Sequence, residues 1–348
     1  MARDSHGIIL WNLSMGSTMK VTIKDVAKDC GVSPSTVSRV IADNPNISQE
    51  TKDRVNESIR KLNYKPNIMA RGLVNNKTKI IGVIMPNEAT NLFSNPFFTK
   101  VLRGISTGAE ENNYYIMYAF GKSQKQEIKA VKDFVSSGLV DGICLLTIRE
   151  NDSSIKYLKE QNFPFVVIGE PEDKKDKDIL WVDNNNYEIA LEMVEILSKK
   201  NIKKLGFIGA KKNWRVSLNR LRGFLDGCKN NDISYEIFQG DEFSKEVGYN
   251  LSVELFKNFS PEGIITTDDV LAYGVEEYLN KNNLKDIHLF GFNNNPLGEF
   301  LRHPLNTVEI HGEILGHEAI DLLIKKLKNE DHENNFIVQS EIILKNLS

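Results

Sequence analysis

Ser33, Pro34, Ser35, Thr36, Ser38 and Arg39 crowd into one short stretch of this 348-residue chain. Hydroxyls both donate and accept hydrogen bonds, and a guanidinium is a planar fork of donors. On one face of a helix, such groups suit the base edges and phosphates of a DNA major groove. The spacing supplies that helix. Ser33 is a good N-cap, and Pro34 fits the first helical position, where a missing N–H costs nothing. Val37, Val40 and Ile41 recur at helical spacing and turn inward, which leaves Ser35, Thr36, Ser38 and Arg39 outside.

Two neighbouring elements would hold that helix in place. Upstream, Thr22 caps a first helix with Asp25 three residues on, and Ile23, Val26, Ala27 and Cys30 give it one apolar side. Gly31 makes the turn between the two. Downstream, Ser48 caps a third helix, Glu50 sits in its first turn, and Val55, Ile59 and Leu62 close a three-helix core. A unit of that size is weakly stable alone. From Lys20 to Asn76 there are ten basic residues against six acidic ones, although the whole chain carries −3. A positive head on an acidic chain is the footprint of phosphate contact and predicts strongly salt-dependent binding.

From Lys79 onward, buried-strand runs alternate with amphipathic helices. Ile80–Met85, Tyr114–Ala119, Gly142–Leu146 and Phe165–Ile168 read as strands, with helices around Phe98–Glu111, Glu127–Ser137 and Ser153–Gln161. A second series opens at Trp181-Val182 and runs through Ile287–Gly291. Two successive series imply an α/β body of two lobes, each with a parallel sheet. The helix Glu313–Lys328 and strand Phe336–Leu344 are expected to cross back to the first lobe. Ligands in such lobes sit at the carboxyl ends of strands. Those positions here are Asn87–Phe98, Gly209–Arg220, Asp268 and Asn293–Asn295, each carrying polar or aromatic side chains.

The run Val21–Val40, with Asn63-Tyr64-Lys65-Pro66-Asn67 and Ala70-Arg71-Gly72-Leu73 downstream, resembles the lactose-repressor/galactose-repressor (LacI/GalR) family of bacterial regulators. The resemblance extends from about Lys20 to the C-terminus. It implies a helix-turn-helix head at 19–65, a hinge helix and linker at 66–78, and an effector-binding and dimerisation body at 79–348. Lobe one would hold about 79–180 plus 309–344, and lobe two about 181–308. On composition alone 66–78 reads as a tether. In the family it is a helix that orders on DNA and wedges a leucine into the minor groove, the place Leu73 occupies here. Gly72 weakens that helix by about 1 kcal/mol relative to alanine, so the hinge is expected to be unfolded without DNA. Thr22, Asn46, Tyr64, Asn67 and Ala70 complete the candidate DNA contacts.

For the body the family implies a periplasmic-binding-protein-like pair of lobes closing on a small effector. Arg220 matches its effector-clamping arginine, Asp268 a cleft residue after a strand, and Asn293 a position usually held by aspartate. Asn95 and Phe98 match the cleft edge of the first lobe, and Phe243 an aromatic that stacks on sugar in some members. Trp214 is either a stacking platform or an anchor for its loop. The runs VTIKDVAKDCGVSPSTVSRVI, NPFFTKVLRGIS, VDNNN and GFNNN are most similar to those of maltose-operon repressors of low-GC Gram-positive bacteria. The expected partners are a near-palindromic double-stranded operator, a maltose-type sugar and a second copy of the chain. A catabolite-control regulator that takes a phosphocarrier protein as corepressor is the alternative. A transport sugar-binding protein is the other, and it lacks a reason for the head.

Enzymatic readings fare poorly. There is no GxxxxGK[ST] and no GxGxxG after the first strand. His311 and His317 lack zinc-helix spacing, no nucleophile has a partnered base, and no cofactor or metal is expected. Cys30, Cys144 and Cys228 are scattered and odd in number, which reads as reduced, buried thiols in a cytoplasm. No apolar run reaches membrane-spanning length. Residues 1–18 are read as a disordered or non-native extension, with Met19 as the functional start.

Overall fold

The computed structural model describes residues 21–65, 77–86, 95–121, 123–171, 178–302 and 305–345. The extension 1–18 and the hinge residues Asn67, Ala70, Gly72 and Leu73 lie outside that set. The chain divides into two compact units, Met1–Asn76 and Lys77–Ser348.

The first unit carries α1 (Ile23–Cys30), α2 (Pro34–Ile41) and α3 (Gln49–Lys61). Each begins where the sequence offers a cap. The Asp25 carboxylate accepts from the N–H and hydroxyl of Thr22 at 2.8 and 2.7 Å. Ser33 Oγ accepts from Thr36 N–H at 3.1 Å, and Ser48 Oγ accepts from Thr51 N–H. Gly31 ends α1 at φ +67°, a left-handed conformation that glycine adopts without steric cost. Val26, Ala27, Cys30, Val37, Val40 and Val55 form the buried core, with Ile23, Ile41, Ile59 and Leu62 packed against it. Ser58, which the apolar spacing does not flag, is buried as well and points its hydroxyl at Val26 O.

In the second unit, a first series comprises β1 (Ile80–Met85), α4 (Pro96–Glu111), β2 (Tyr115–Phe120), α5 (Gln124–Ser137), β3 (Gly142–Leu145), α6 (Ser153–Glu160), β4 (Phe165–Ile168) and β5 (Leu180–Asn184). A second comprises α7 (Asn186–Lys199), β6 (Lys204–Ala210), α8 (Arg215–Asn230), β7 (Ser234–Gly240), α9 (Lys245–Asn258), β8 (Gly263–Thr266), α10 (Asp269–Lys281) and β9 (His288–Phe290). Then come β10 (Thr307–Glu309), α11 (Gly312–Lys328), β11 (Asn335–Val338) and β12 (Glu341–Ile343). One parallel sheet has the order β11-β5-β4-β3-β1-β2 and the other β7-β6-β8-β9.

The chain departs from the sequence expectation at two places. Trp181-Val182 does not open the second lobe: β5 pairs with β4 through Val167↔Trp181 and Ile168↔Val182, in the first sheet. The boundary between lobes therefore falls after Asn184. Burial explains the placement, since Leu180, Val182, Asp183 and Asn184 are all buried, as an inner strand of a covered sheet requires. The terminal strand also divides. β11 extends the first sheet beside β5, whereas β12 pairs antiparallel with β10. α11 returns to the first lobe, where it packs on α4 and on β3, β4 and β5.

Three chain segments thus pass between the lobes, and the asparagines at the end of β5 hold them together. Asn184 Nδ2 donates to Ile310 O at 3.0 Å and Val338 O at 2.9 Å. Asn185 Oδ1 accepts from Ser340 N–H at 3.0 Å.

Candidate functional site

In the head, Ser33, Pro34, Ser35, Ser38 and Arg39 are exposed, and Thr36 is half-buried. The hydroxyls of Ser33, Ser35 and Thr36 cluster at the start of α2, with Ser33 Oγ 2.7 Å from Ser35 Oγ and 2.9 Å from Thr36 Oγ1. This places small rotatable donors and acceptors at the end of a helix whose free N–H groups favour anions. Arg39 lies one turn further, its fork in solvent. Asn46 is exposed in the turn before α3, where its N–H bonds Asn44 Oδ1. Thr22 is exposed but engaged in its cap. Tyr64 is half-buried and packs against the three-helix core, so its ring also closes the head.

In the body, all seven candidate ligand residues line one cavity. Asn95 and Phe98 enter it from the start of α4, and Trp214 and Arg220 from α8 and the residue before it. Phe243 precedes α9, while Asp268 and Asn293 follow β8 and β9. The space between the lining atoms amounts to about 620 Å³, part of it open to solvent, of which about 60 Å³ can take the centre of a water molecule. Leu146, Ile148, Ile168 and Leu315 supply apolar wall.

The polar groups are buried and bonded to one another. Asp268 caps α10 through Val270 N–H at 2.7 Å, and its Oδ2 accepts from Asn95 Nδ2 at 3.1 Å and Asn293 Nδ2 at 2.6 Å. The bond from Asn95 joins the two lobes. Asn293 itself sits at φ +100°, a rare conformation for a side-chain-bearing residue and one that asparagine tolerates better than most. Arg220 donates from Nε to Asn186 Oδ1 at 2.8 Å and from one terminal nitrogen to Thr267 O at 2.7 Å. Its guanidinium lies 3.8 Å from the Phe292 ring centroid. Burial draws its pKa down to about 10 against the pull of Asp268, Asp183 and Asp269, so it stays charged at neutral pH.

Burial also raises the acids around it. Asp183 is pushed up to about 6 despite accepting from the N–H groups of Glu170 and Asn184. Asp268 moves in the same direction for the same reason. Asp269 rises to about 8, and its carboxyl meets Thr307 Oγ1 at 2.8 Å and Asn295 N–H at 2.8 Å.

Trp214 both lines the cavity and anchors its loop. Its ring is 5.7 Å from Phe243, and the Arg149 guanidinium lies 5.5 Å from it. Arg149 belongs to the first lobe and is held bidentately by buried Glu127 at 2.7 and 3.0 Å. Beside that contact the two lobes pair through backbone: Arg215 N–H donates to Ile148 O at 3.1 Å and Glu150 N–H to Asn213 O at 3.2 Å.

Asp183, Asn184, Asn186, Thr147 and Thr267 line the same cavity and were not among the candidates. A signal for three of them was present. VDNNN ends a strand with one carboxylate and three amides, which is a strand-end position of the kind searched. Reading that strand as the first of a new lobe hid where its end points.

Paired carboxylates and amides, one guanidinium and the faces of Phe97, Phe98, Trp214 and Phe243 suit a polyhydroxylated ligand with an apolar side. Hydroxyls accept from the cation and amides and donate to the carboxylates, and aromatic rings cover ring C–H faces. Among the described residues no group of His, Cys, Asp and Glu is arranged to hold a metal, and no helix is long and apolar enough to cross a membrane.

Residues 22–67 match the description "Bacterial regulatory proteins, lacI family", and residues 194–345 a "Periplasmic binding protein-like domain". The HTH-type transcriptional regulator MalR of Streptococcus pneumoniae is 38% identical over 330 residues, which is 93% of this chain and 98% of that one. Catabolite control protein A of Staphylococcus xylosus is 32% identical over 333 residues, covering 93% and 98%. A solved LacI-type transcriptional regulator from Bacillus cereus subsp. cytotoxis superposes with a TM-score of 0.72 at 37% identity, over 76% of this chain and 96% of that one. These relatives are regulators rather than enzymes. With head and body both matched, and full-length regulators aligned almost end to end, the chain belongs to the LacI family of DNA-binding bacterial transcriptional regulators.

Proposed function

We propose that this regulator is a homodimeric repressor that maltose or a maltodextrin releases from a near-palindromic operator. Each protomer lays α2 in one half-site. Pro34 and Ser35 meet base edges there, Arg39 reaches guanine or phosphate, Thr36 and Ser38 chiefly position the helix, and Leu73 from both hinges opens the centre of the site. Sugar enters the cleft, bonds Arg220, Asp268 and Asn293, and stabilises an arrangement of the lobes that separates the hinges. By linkage, operator weakens sugar binding by the same factor that sugar weakens operator binding, often about 1–3 kcal/mol.

The observation that carries this reading is the convergence of one guanidinium, two carboxylates, several amides and four aromatic rings on a single cavity. The likeness to a maltose-operon regulator supports the choice of sugar. The test is titration calorimetry of the full-length protein with maltose, maltotriose, glucose and cellobiose. Operator release is then measured at fixed salt on a duplex selected from a random pool. Maltose binding with loss of DNA affinity supports the proposal. The 32% identity to Catabolite control protein A motivates the other outcome, indifference to sugar with tightening by a serine-phosphorylated phosphocarrier protein, which would replace it.

A further inference from the structure

We infer that Asn186 is a positioning residue for Arg220: its amide bridges the Asp183 carboxylate to Arg220 Nε and fixes the direction in which the guanidinium meets ligand. The inference rests on the reading of the cleft as a ligand site.

Asn186 opens α7, immediately after the chain leaves the first sheet, and only 2% of its surface is exposed. Its Oδ1 accepts from Arg220 Nε at 2.8 Å, and its Nδ2 donates to Asp183 Oδ1 at 2.8 Å. That carboxylate is in turn fixed by backbone, with Oδ2 accepting from Glu170 N–H and Oδ1 from Asn184 N–H, both at 2.8 Å. The bridge therefore runs from an immobile strand end to a long side chain with several rotatable bonds. Helix packing brings its two ends together. A Cβ on Gly223, one turn after Arg220, would lie 2.2 Å from Tyr187 O, so only glycine lets α8 approach α7 this closely.

Without the bridge, Arg220 has three carboxylates within electrostatic reach: Asp183, Asp268 and Asp269. A free guanidinium would turn to the first two, which face the same cavity, and close the donors a ligand needs. With Nε engaged by Asn186, one terminal nitrogen on Thr267 O and the ring of Phe292 against its face, its plane is set. The side chain so held lines the cavity, and its other terminal nitrogen makes no bond to the described residues. An amide is the side chain that does this at neutral charge, since it accepts from the cation on one atom and donates to the carboxylate on the other. A carboxylate here would confront Asp183, and a second cation would confront Arg220.

The test has two readouts on the full-length protein. In a 15N–1H correlation spectrum, assigned with Arg220→Lys, the Arg220 Nε–H of the wild type gives a resolved signal protected from exchange. Asn186→Ala and Asn186→Ser both lose it. Calorimetry with maltose then shows affinity about ten- to a hundred-fold weaker in each variant, the range expected for a bond to a charged group. A protected Nε–H in either folded variant overturns the inference, as does unchanged affinity for maltose. If the wild type itself ignores maltose, the sugar reading fails, and the Nε–H signal alone decides the role of Asn186. Should Asn186→Ala not fold, Asn186→Ser supplies both readouts.

Discussion

Helix α2 and the cavity of the body use similar polar side chains in opposite ways. On α2 the candidate contacts are mostly exposed and make local bonds within the first turn, Ser33 to Ser35 and Thr36. In the cleft they are buried and bonded across long stretches of chain, Asn95 to Asp268 and Asn186 to Arg220. A hydroxyl that faces water carries no burial penalty, so its replacement disturbs little beyond its own local bonds. A carboxylate buried among amides is costly unless every partner is present, so the cleft is specified as a set. The head is therefore the adaptable surface and the cleft the rigid one.

Salt should separate the two most strongly. Exposed cations that replace counterions lose affinity steeply, by about a thousandfold between 50 and 200 mM salt if six phosphates are met. Sugar affinity should stay within about twofold over that range, because a neutral ligand releases no counterions. Filter binding and calorimetry in matched buffers check this, and a salt-sensitive sugar titration would break the comparison.

Next in size is Arg220→Ala. Removing the one cation of a buried network should weaken maltose by at least about a hundredfold, since it also strands acceptors on Asn186 and Thr267. A parallel collapse of operator binding in the absence of sugar would show that Arg220 serves the fold instead.

Asp269→Asn sharpens the comparison through pH. Asp269 ionises near 3.8 when unfolded and at about 8 when folded, so between those values the folded state holds a proton that the unfolded state has lost. Its contribution to stability is fully present below pH 4 and falls as pH rises toward 8. Asparagine keeps the geometry, donating to Thr307 Oγ1 and accepting from Asn295 N–H. The variant should lose a slope of about 1 kcal/mol per pH unit between pH 5 and 7, read by urea unfolding. An unchanged slope would mean that Asp269 folds ionised.

The smallest effect belongs to the exposed side. Ser33→Ala removes one cap from α2 and should cost the head about 1 kcal/mol, seen as faster proteolysis within residues 21–65. A loss several times larger would show that the hydroxyl cluster carries part of the fold.

Legibility in the sequence follows the same division. The head could be read because caps, turn glycine and apolar spacing are local, and α1, α2 and α3 begin at Thr22, Ser33 and Ser48 as their side chains dictate. In the body, Arg220, Asp268 and Asn293 were found through strand ends and family resemblance. Asp183 and Asn186 were not, because the sheet that β5 joins is decided by its partners Val167 and Asn335, far from it in the chain. Tyr64 was expected at the DNA, yet it also packs on the head core. Spacing says which face a ring takes, and it is silent about whether that face is covered.

The backbone bonds between Ile148–Glu150 and Asn213–Arg215 have a consequence in time. Both donors are backbone amides, so side-chain truncation leaves this seam between the lobes in place, and only proline at Glu150 or Arg215 would remove a bond. A sugar that enters through this seam, rather than through the part of the cavity open to solvent, must wait for it to part. Rapid-mixing traces should then show an association rate that climbs with sugar concentration and levels off at the frequency of opening, a ceiling that belongs to the protein and is the same for every sugar it accepts.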